Sequence, residues 1–162
     1  MSTLLHLPES FHELAQLDLN GLKAAHRQGY CPNLDDLDGV AEGLILDPSW
    51  CERLSLWRGK VFEMKGNGKV SGLNRLALGP VEFHRYKFNA RRERSAFSER
   101  DIVCLDHDLP TNPYWVRIFH DELVEMRSGL YLTCSHLRLG GKLIYLSYFA
   151  FDFGQPKSCL VG

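Results

Sequence analysis

Hydrophobic and polar positions change rhythm once along the chain. Glu9 to Leu17 and Leu19 to Gln28 carry apolar residues at helical spacing, with Phe11, Leu14, Leu19, Leu22 and Ala25 on the apolar side. Ser10 followed by Glu13 has the capping-box pattern, and Gly29 with Pro32 beyond it stops the second helix. From Gly39 the pattern predicts strands over Val40–Leu46, Gly59–Met64, Lys69–Leu78, Val81–Asn89 and Asp101–Leu109. Tyr114–Met126, Leu130–Leu139 and Lys142–Phe153 complete the series, and Ser49–Leu56 suits a helical turn. Lys65-Gly66-Asn67-Gly68, Gly79-Pro80, Pro110 to Pro113, Arg127-Ser128-Gly129 and Gly140-Gly141 punctuate these runs. Short strands joined in succession by tight turns predict an antiparallel meander. With seven or eight strands it closes into an up-and-down β-barrel, which removes its edges and leaves room for one small ligand.

The length of 162 residues fits one domain, divided into an N-terminal helical segment (1–30) and a barrel (39–153). Aromatic residues make up 11% of the chain, which suits strands and an apolar pocket. A net charge of -1 argues against a nucleic-acid partner. The one dense basic run, Arg85, Lys87, Arg91, Arg92, Arg94 and Arg100, therefore reads as a solvated strand and loop despite the interleaved Tyr86, Phe88 and Phe97. No apolar stretch reaches the ~20 residues of a membrane helix, and the first residues lack the pattern of a secretory signal. Cys159 to Gly162 only mimics a prenylation box. The scattered cysteines contain no C-x-x-C pair, and reduced thiols in a cytoplasmic protein are the expectation.

The richest polar pattern lies on Tyr114–Met126. One phase holds Val116, Ile118, His120, Glu122, Val124 and Met126, and the other holds Trp115, Arg117, Phe119, Asp121, Leu123 and Glu125. With the first phase inward, His120 and Glu122 project into an apolar cavity as a candidate acid–base pair. The opposing expectation is that the pair caps the barrel or only forms a hydrogen bond. Candidate ligand-binding residues are Trp57, His84, Tyr86, Arg117, Tyr131, His136 and Phe149. His107, between Asp106 and Asp108, could converge with them. No histidine pair has a specific metal spacing, so no metal site is expected, and nothing identifies a cofactor. Ser135 and Ser147 lie in strands without a G-x-S-x-G elbow, and Cys104 and Cys134 sit in apolar company where thiols are inert. Tyr145, Tyr148, Phe149, Phe151 and Phe153 fill both phases of the last strand, so one set is covered by the N-terminal helices or forms a homodimer surface.

The order of several short motifs carries a resemblance. Gly39-Val40-Ala41-Glu42-Gly43 precedes Trp57-Arg58-Gly59-Lys60-Val61-Phe62. Asp106 to Arg117, Asp121-Glu122-Leu123, Gly129-Leu130-Tyr131-Leu132 and Tyr148-Phe149-Ala150-Phe151 follow. The chain resembles the uncharacterised bacterial lipocalin-like proteins of the GXWXG/DUF4334 family, with Ala41 where the first motif has tryptophan. The resemblance implies a calycin-like barrel and no particular activity. Three functions remain open. They are binding of a small apolar or aromatic ligand, a cyclase, isomerase or lyase using His120 and Glu122, and an interaction protein with a filled barrel.

Overall fold

A computed structural model describes residues 6–154. The Cys159–Gly162 motif and the first five residues lie outside the described part. Helices α1 (Phe11–Ala15) and α2 (Leu19–Gln28) lead through a 3-10 turn at Leu34–Asp36 into the strands. These are β1 (Gly39–Asp47), β2 (Trp57–Lys65), β3 (Lys69–Leu78), β4 (Val81–Arg94), β5 (Asp101–Asp106), β6 (Phe119–Arg127), β7 (Leu130–Leu139) and β8 (Lys142–Asp152). Two helical turns, α3 (Cys51–Leu54) and α4 (Tyr114–Arg117), sit in the β1–β2 and β5–β6 connections. Each strand pairs antiparallel with its chain neighbour, and β8 returns to β1 through Ile45 opposite Phe149 and Gly43 opposite Phe151. The result is the closed up-and-down barrel that the meander pattern predicts, of calycin-like build.

Two apolar clusters divide the wall. Phe62, Phe88, Leu105, Leu123, Tyr131 and Phe151 fill one half of the barrel interior. Leu37, buried just after the 3-10 turn, closes that end. Gly72 makes room there, because a Cβ would stand 2.4 Å from the Phe88 ring. The second cluster lies outside the barrel, where Leu22 and Ala25 of α2 cover Cys104, Val124, Leu132 and Ala150. β5 and β6, the first part of β7 and the end of β8 are consequently buried on both faces.

Helix α2 starts at an Asp18 cap, whose carboxylate accepts from the Gly21 amide at 2.8 Å. Near its end, His26 ties it to the wall. Arg100 donates to His26 Nδ1 at 2.8 Å, so Nε2 carries the proton and donates to the Glu122 carbonyl at 2.8 Å. Burial lowers the His26 pKa to about 4, keeping the ring neutral between its two partners.

Several expected boundaries move. Tyr114 to Arg117 form a helical turn rather than the start of a strand, because the Pro113 carbonyl accepts from Val116 and Arg117 at 2.9 and 3.2 Å. β5 ends at Asp106, and Asn112 fixes the following loop by donating to the carbonyls of Lys87 and His107. β4 continues to Arg94, its polar end being simply the solvated part of a long strand. The aromatic residues of β8 divide between the two faces of the sheet, and Tyr145 is left partly exposed. Phe149 and Phe151 point inward, whereas Tyr148 lies beneath α2 in edge contact with His26 at 5.9 Å.

Candidate functional site: a cavity with a lysine floor

The barrel half nearer α3 and α4 is not filled. Four strand registers shift there, between Ile45 and Asp47, Trp57 and Gly59, Leu73 and Asn74, and Ser135 and His136. An extra residue bends its strand and re-aims neighbouring side chains. The shift on β4 leaves Tyr86 unpaired in the ladder at φ 63, a left-handed conformation unusual for a tyrosine. Asn74 Nδ2 holds it there by donating to the Tyr86 carbonyl at 2.9 Å. Its ring meets Trp115 edge-on at 5.1 Å.

These distortions enclose a cavity of about 570 Å³. Ile45, Trp57, Leu76, Val116, Phe119 and Phe149 supply most of the apolar wall. Trp50 and Trp115, both more than half exposed, stand at the mouth, so all three tryptophans of the chain border the cavity. Leu54, Tyr114, Ile144 and Leu146 extend the exposed apolar surface on the same elements.

A small polar group interrupts this lining. Lys60 is 2% exposed, and its ammonium donates to Asn74 Oδ1 at 2.7 Å and His107 Nε2 at 3.2 Å. It also lies 4.6 Å above the centre of the Phe88 ring. His107 donates from Nδ1 to the Leu105 carbonyl at 3.1 Å, which leaves Nε2 as the acceptor for Lys60. Asp121 accepts from the Ser135 hydroxyl at 2.6 Å and stands 3.8 Å from His107 Nδ1. Trp57 Nε1 donates to Asn74 Oδ1 at 3.1 Å, joining the aromatic wall to the floor.

Burial dominates the electrostatics of this floor. It lowers the Lys60 pKa to about 8, with partial compensation from Asp121. His107 is pushed well below its ordinary value by burial and by Lys60, so it stays neutral. Burial raises the Asp121 carboxyl, against the opposing pull of Lys60 and the Ser135 hydrogen bond. A buried amine beside a neutral imidazole and a carboxyl can bind a polar ligand group or move a proton.

Among the residues expected from sequence, Trp57, Tyr86 and Phe149 border this cavity. His120 and Glu122 do form a pair, with Nε2–H donating to Oε2 at 3.0 Å, but on the outer wall rather than in the cavity. Glu122 also accepts from the Ser95 hydroxyl at 2.5 Å and the Ala96 amide at 3.1 Å. Burial would raise its carboxyl, yet the bonds from His120, Ser95 and Ala96 hold it below the ordinary value. The pair thus pins the β4–β5 loop to the barrel. His136 joins it outside, with the Phe97 ring 4.4 Å away. His84 bridges to Glu82, and Arg117 to Asp108, both on exposed surface. Tyr131 belongs to the core of the closed half.

The β6 phase is therefore the reverse of the expected one: Phe119, Asp121 and Leu123 face inward. Lys60, Asn74, Asp121 and Ser135 were not among the expected site residues. Cross-strand pairing supplies the missing signal, since Lys60 stands opposite Asn74 and Asp121 opposite Ser135. Among the described residues, no cluster of three or more metal-ligating side chains occurs, and no helix is long and apolar enough to cross a membrane.

The fold has a counterpart among solved structures. The chain is similar to a protein from Thermomonospora curvata known from its crystal structure, with a TM-score of 0.52. The identity is 11%, over 86% of this chain and 89% of the other, so the likeness concerns the fold. No protein-family model and no curated protein matches the sequence.

Proposed function

We propose that this protein binds one small, largely apolar or aromatic molecule carrying a single polar group. The apolar body lies among Trp57, Phe119 and Phe149, and the polar group meets the Lys60 ammonium. The observation that carries this reading is a buried cation at the floor of an otherwise apolar cavity. Ligand sites commonly combine such a wall with a few convergent polar groups. An acidic, enol or carbonyl oxygen is the complementary group, because Lys60 offers hydrogen-bond donors and no acceptor while protonated. The order of the Gly39–Gly43, Trp57–Phe62 and Tyr148–Phe151 motifs supports kinship with the GXWXG/DUF4334 proteins.

The test is a fluorescence titration with 1-anilinonaphthalene-8-sulfonate, an aromatic anion. One saturable site is expected. Lys60→Met should weaken it roughly tenfold, the order of one charge-assisted hydrogen bond. Ser147→Phe, which fills part of the cavity, should weaken it further. Affinity unchanged in both variants would place the probe elsewhere and reject the reading.

A further inference from the structure

Lys60 is a buried amine with an unfinished environment. Its ammonium has three donors, and the described residues supply two acceptors, Asn74 Oδ1 and His107 Nε2. Among those residues no carboxylate lies within ion-pair distance of it. The side chain borders the cavity, so the remaining position is open to whatever occupies that space. The other described lysines, Lys23, Lys65, Lys69, Lys87 and Lys142, are exposed.

We propose that Lys60 forms a reversible imine with an apolar aldehyde or ketone held in the cavity. The inference rests on the binding reading above and adds a covalent step to it. The neutral Nζ lone pair attacks the carbonyl carbon, and the C=O π electrons move to oxygen. One N–H proton passes to that oxygen, giving a neutral carbinolamine. Loss of water, made of that hydroxyl and the second amine proton, then leaves the C=N bond. Neither oxidant nor reductant is consumed, and hydrolysis reverses the step.

The surroundings suit each part of this sequence. His107 Nε2, 3.2 Å from Nζ, is a neutral acceptor that holds one N–H of the amine and so orients its lone pair. The buried Asp121 carboxyl, whose proton affinity is raised, can serve proton transfer to the departing hydroxyl from the same cavity. At pH 7.5 an amine with a pKa of about 8 has roughly two-hundredfold more neutral form than an ordinary lysine. Asn74, anchored to the Tyr86 carbonyl and to Trp57, holds the amine in place.

The experiment uses 2-naphthaldehyde with the full chain, in two stages. Quenching of tryptophan fluorescence first reports entry into the cavity. Sodium cyanoborohydride then fixes any imine, and peptide mass mapping locates it. One adduct per chain is expected on Lys60, favoured at least tenfold over any exposed lysine at pH 7.5. Its labelling rate should rise with a midpoint near pH 8. Lys60→Met should lose the adduct while the aldehyde still quenches saturably. Saturable quenching of the native protein without an adduct on Lys60 overturns the imine and leaves the binding reading standing. Absence of saturable quenching removes both.

Discussion

Replacement of Lys60 by methionine keeps a similar unbranched stem and deletes a buried charge, so it isolates what that charge does to stability. In the folded protein the amine keeps its proton only to about pH 8, whereas an ordinary lysine keeps it to 10.5. Between these values the unfolded chain binds one proton more than the native state. Stability of the native protein must therefore rise with pH across this window. The difference of about 2.5 pH units corresponds to about 3 kcal/mol. Below pH 8 this contribution is a full burden on the fold, and by pH 10.5 most of it has gone. Other titrating groups contribute to both proteins, so the informative quantity is the stability of the variant minus that of the native chain. Urea unfolding of both proteins at intervals from pH 7 to 10.5 measures it. The variant's advantage should shrink, or its deficit deepen, by about 3 kcal/mol over that range. Parallel curves would refute the reasoning, because they would mean that Lys60 titrates alike in the folded and unfolded states.

On the acid side the same logic applies to His26. Its folded pKa is about 4 against 6.5 ordinarily, so the unfolded chain takes up the extra proton and about 3 kcal/mol of stability is lost as pH falls between them. His26→Gln should flatten that part of the stability profile, and an unchanged acid slope would count against a buried neutral ring. Gly59→Ala should destabilise the barrel by about 3 kcal/mol or more, since the φ is +135 and a Cβ would stand 2.1 Å from the Ala41 carbonyl oxygen. A melting temperature equal to that of the native chain would contradict this close approach. Glu122→Ala should cost about 2–3 kcal/mol by releasing Ser95, Ala96 and His120, with anilinonaphthalene sulfonate affinity within twofold of the native value. Lost affinity at unchanged stability would instead return Glu122 to the binding machinery.

The barrel was legible because its signals are local. Gly140-Gly141 both take positive φ in the β7–β8 hairpin, and the Ser10 hydroxyl caps Glu13 as its spacing predicts. The cavity wall was half legible, through Trp57, Tyr86 and Phe149. The phase of β6 was not, and the reason is physical. Leu123 is buried inside the barrel and Val124 is buried beneath α2, so alternation does not distinguish the faces. The alternation of β6 alone points His120 and Glu122 inward, because nothing within that strand marks the face that α2 covers. Lys60 follows Arg58 and Gly59 in a segment that reads as a half-solvated strand. It shares an inward phase with Phe62, but its partners Asn74, His107 and Asp121 come from separate parts of the chain. The Tyr86 bulge leaves no mark at all in an alternating run.

The central claim is that the open half of the barrel holds one apolar molecule with its polar end on Lys60. Native mass spectrometry of the protein with 1-naphthoic acid, alone and in competition with neutral naphthalene, tests it most directly. The account predicts a single bound molecule per chain, preference for the acid, and loss of that preference in Lys60→Met with the neutral compound still bound. Failure of both compounds to form a one-to-one complex, or equal preference in the native protein and the variant, would contradict it.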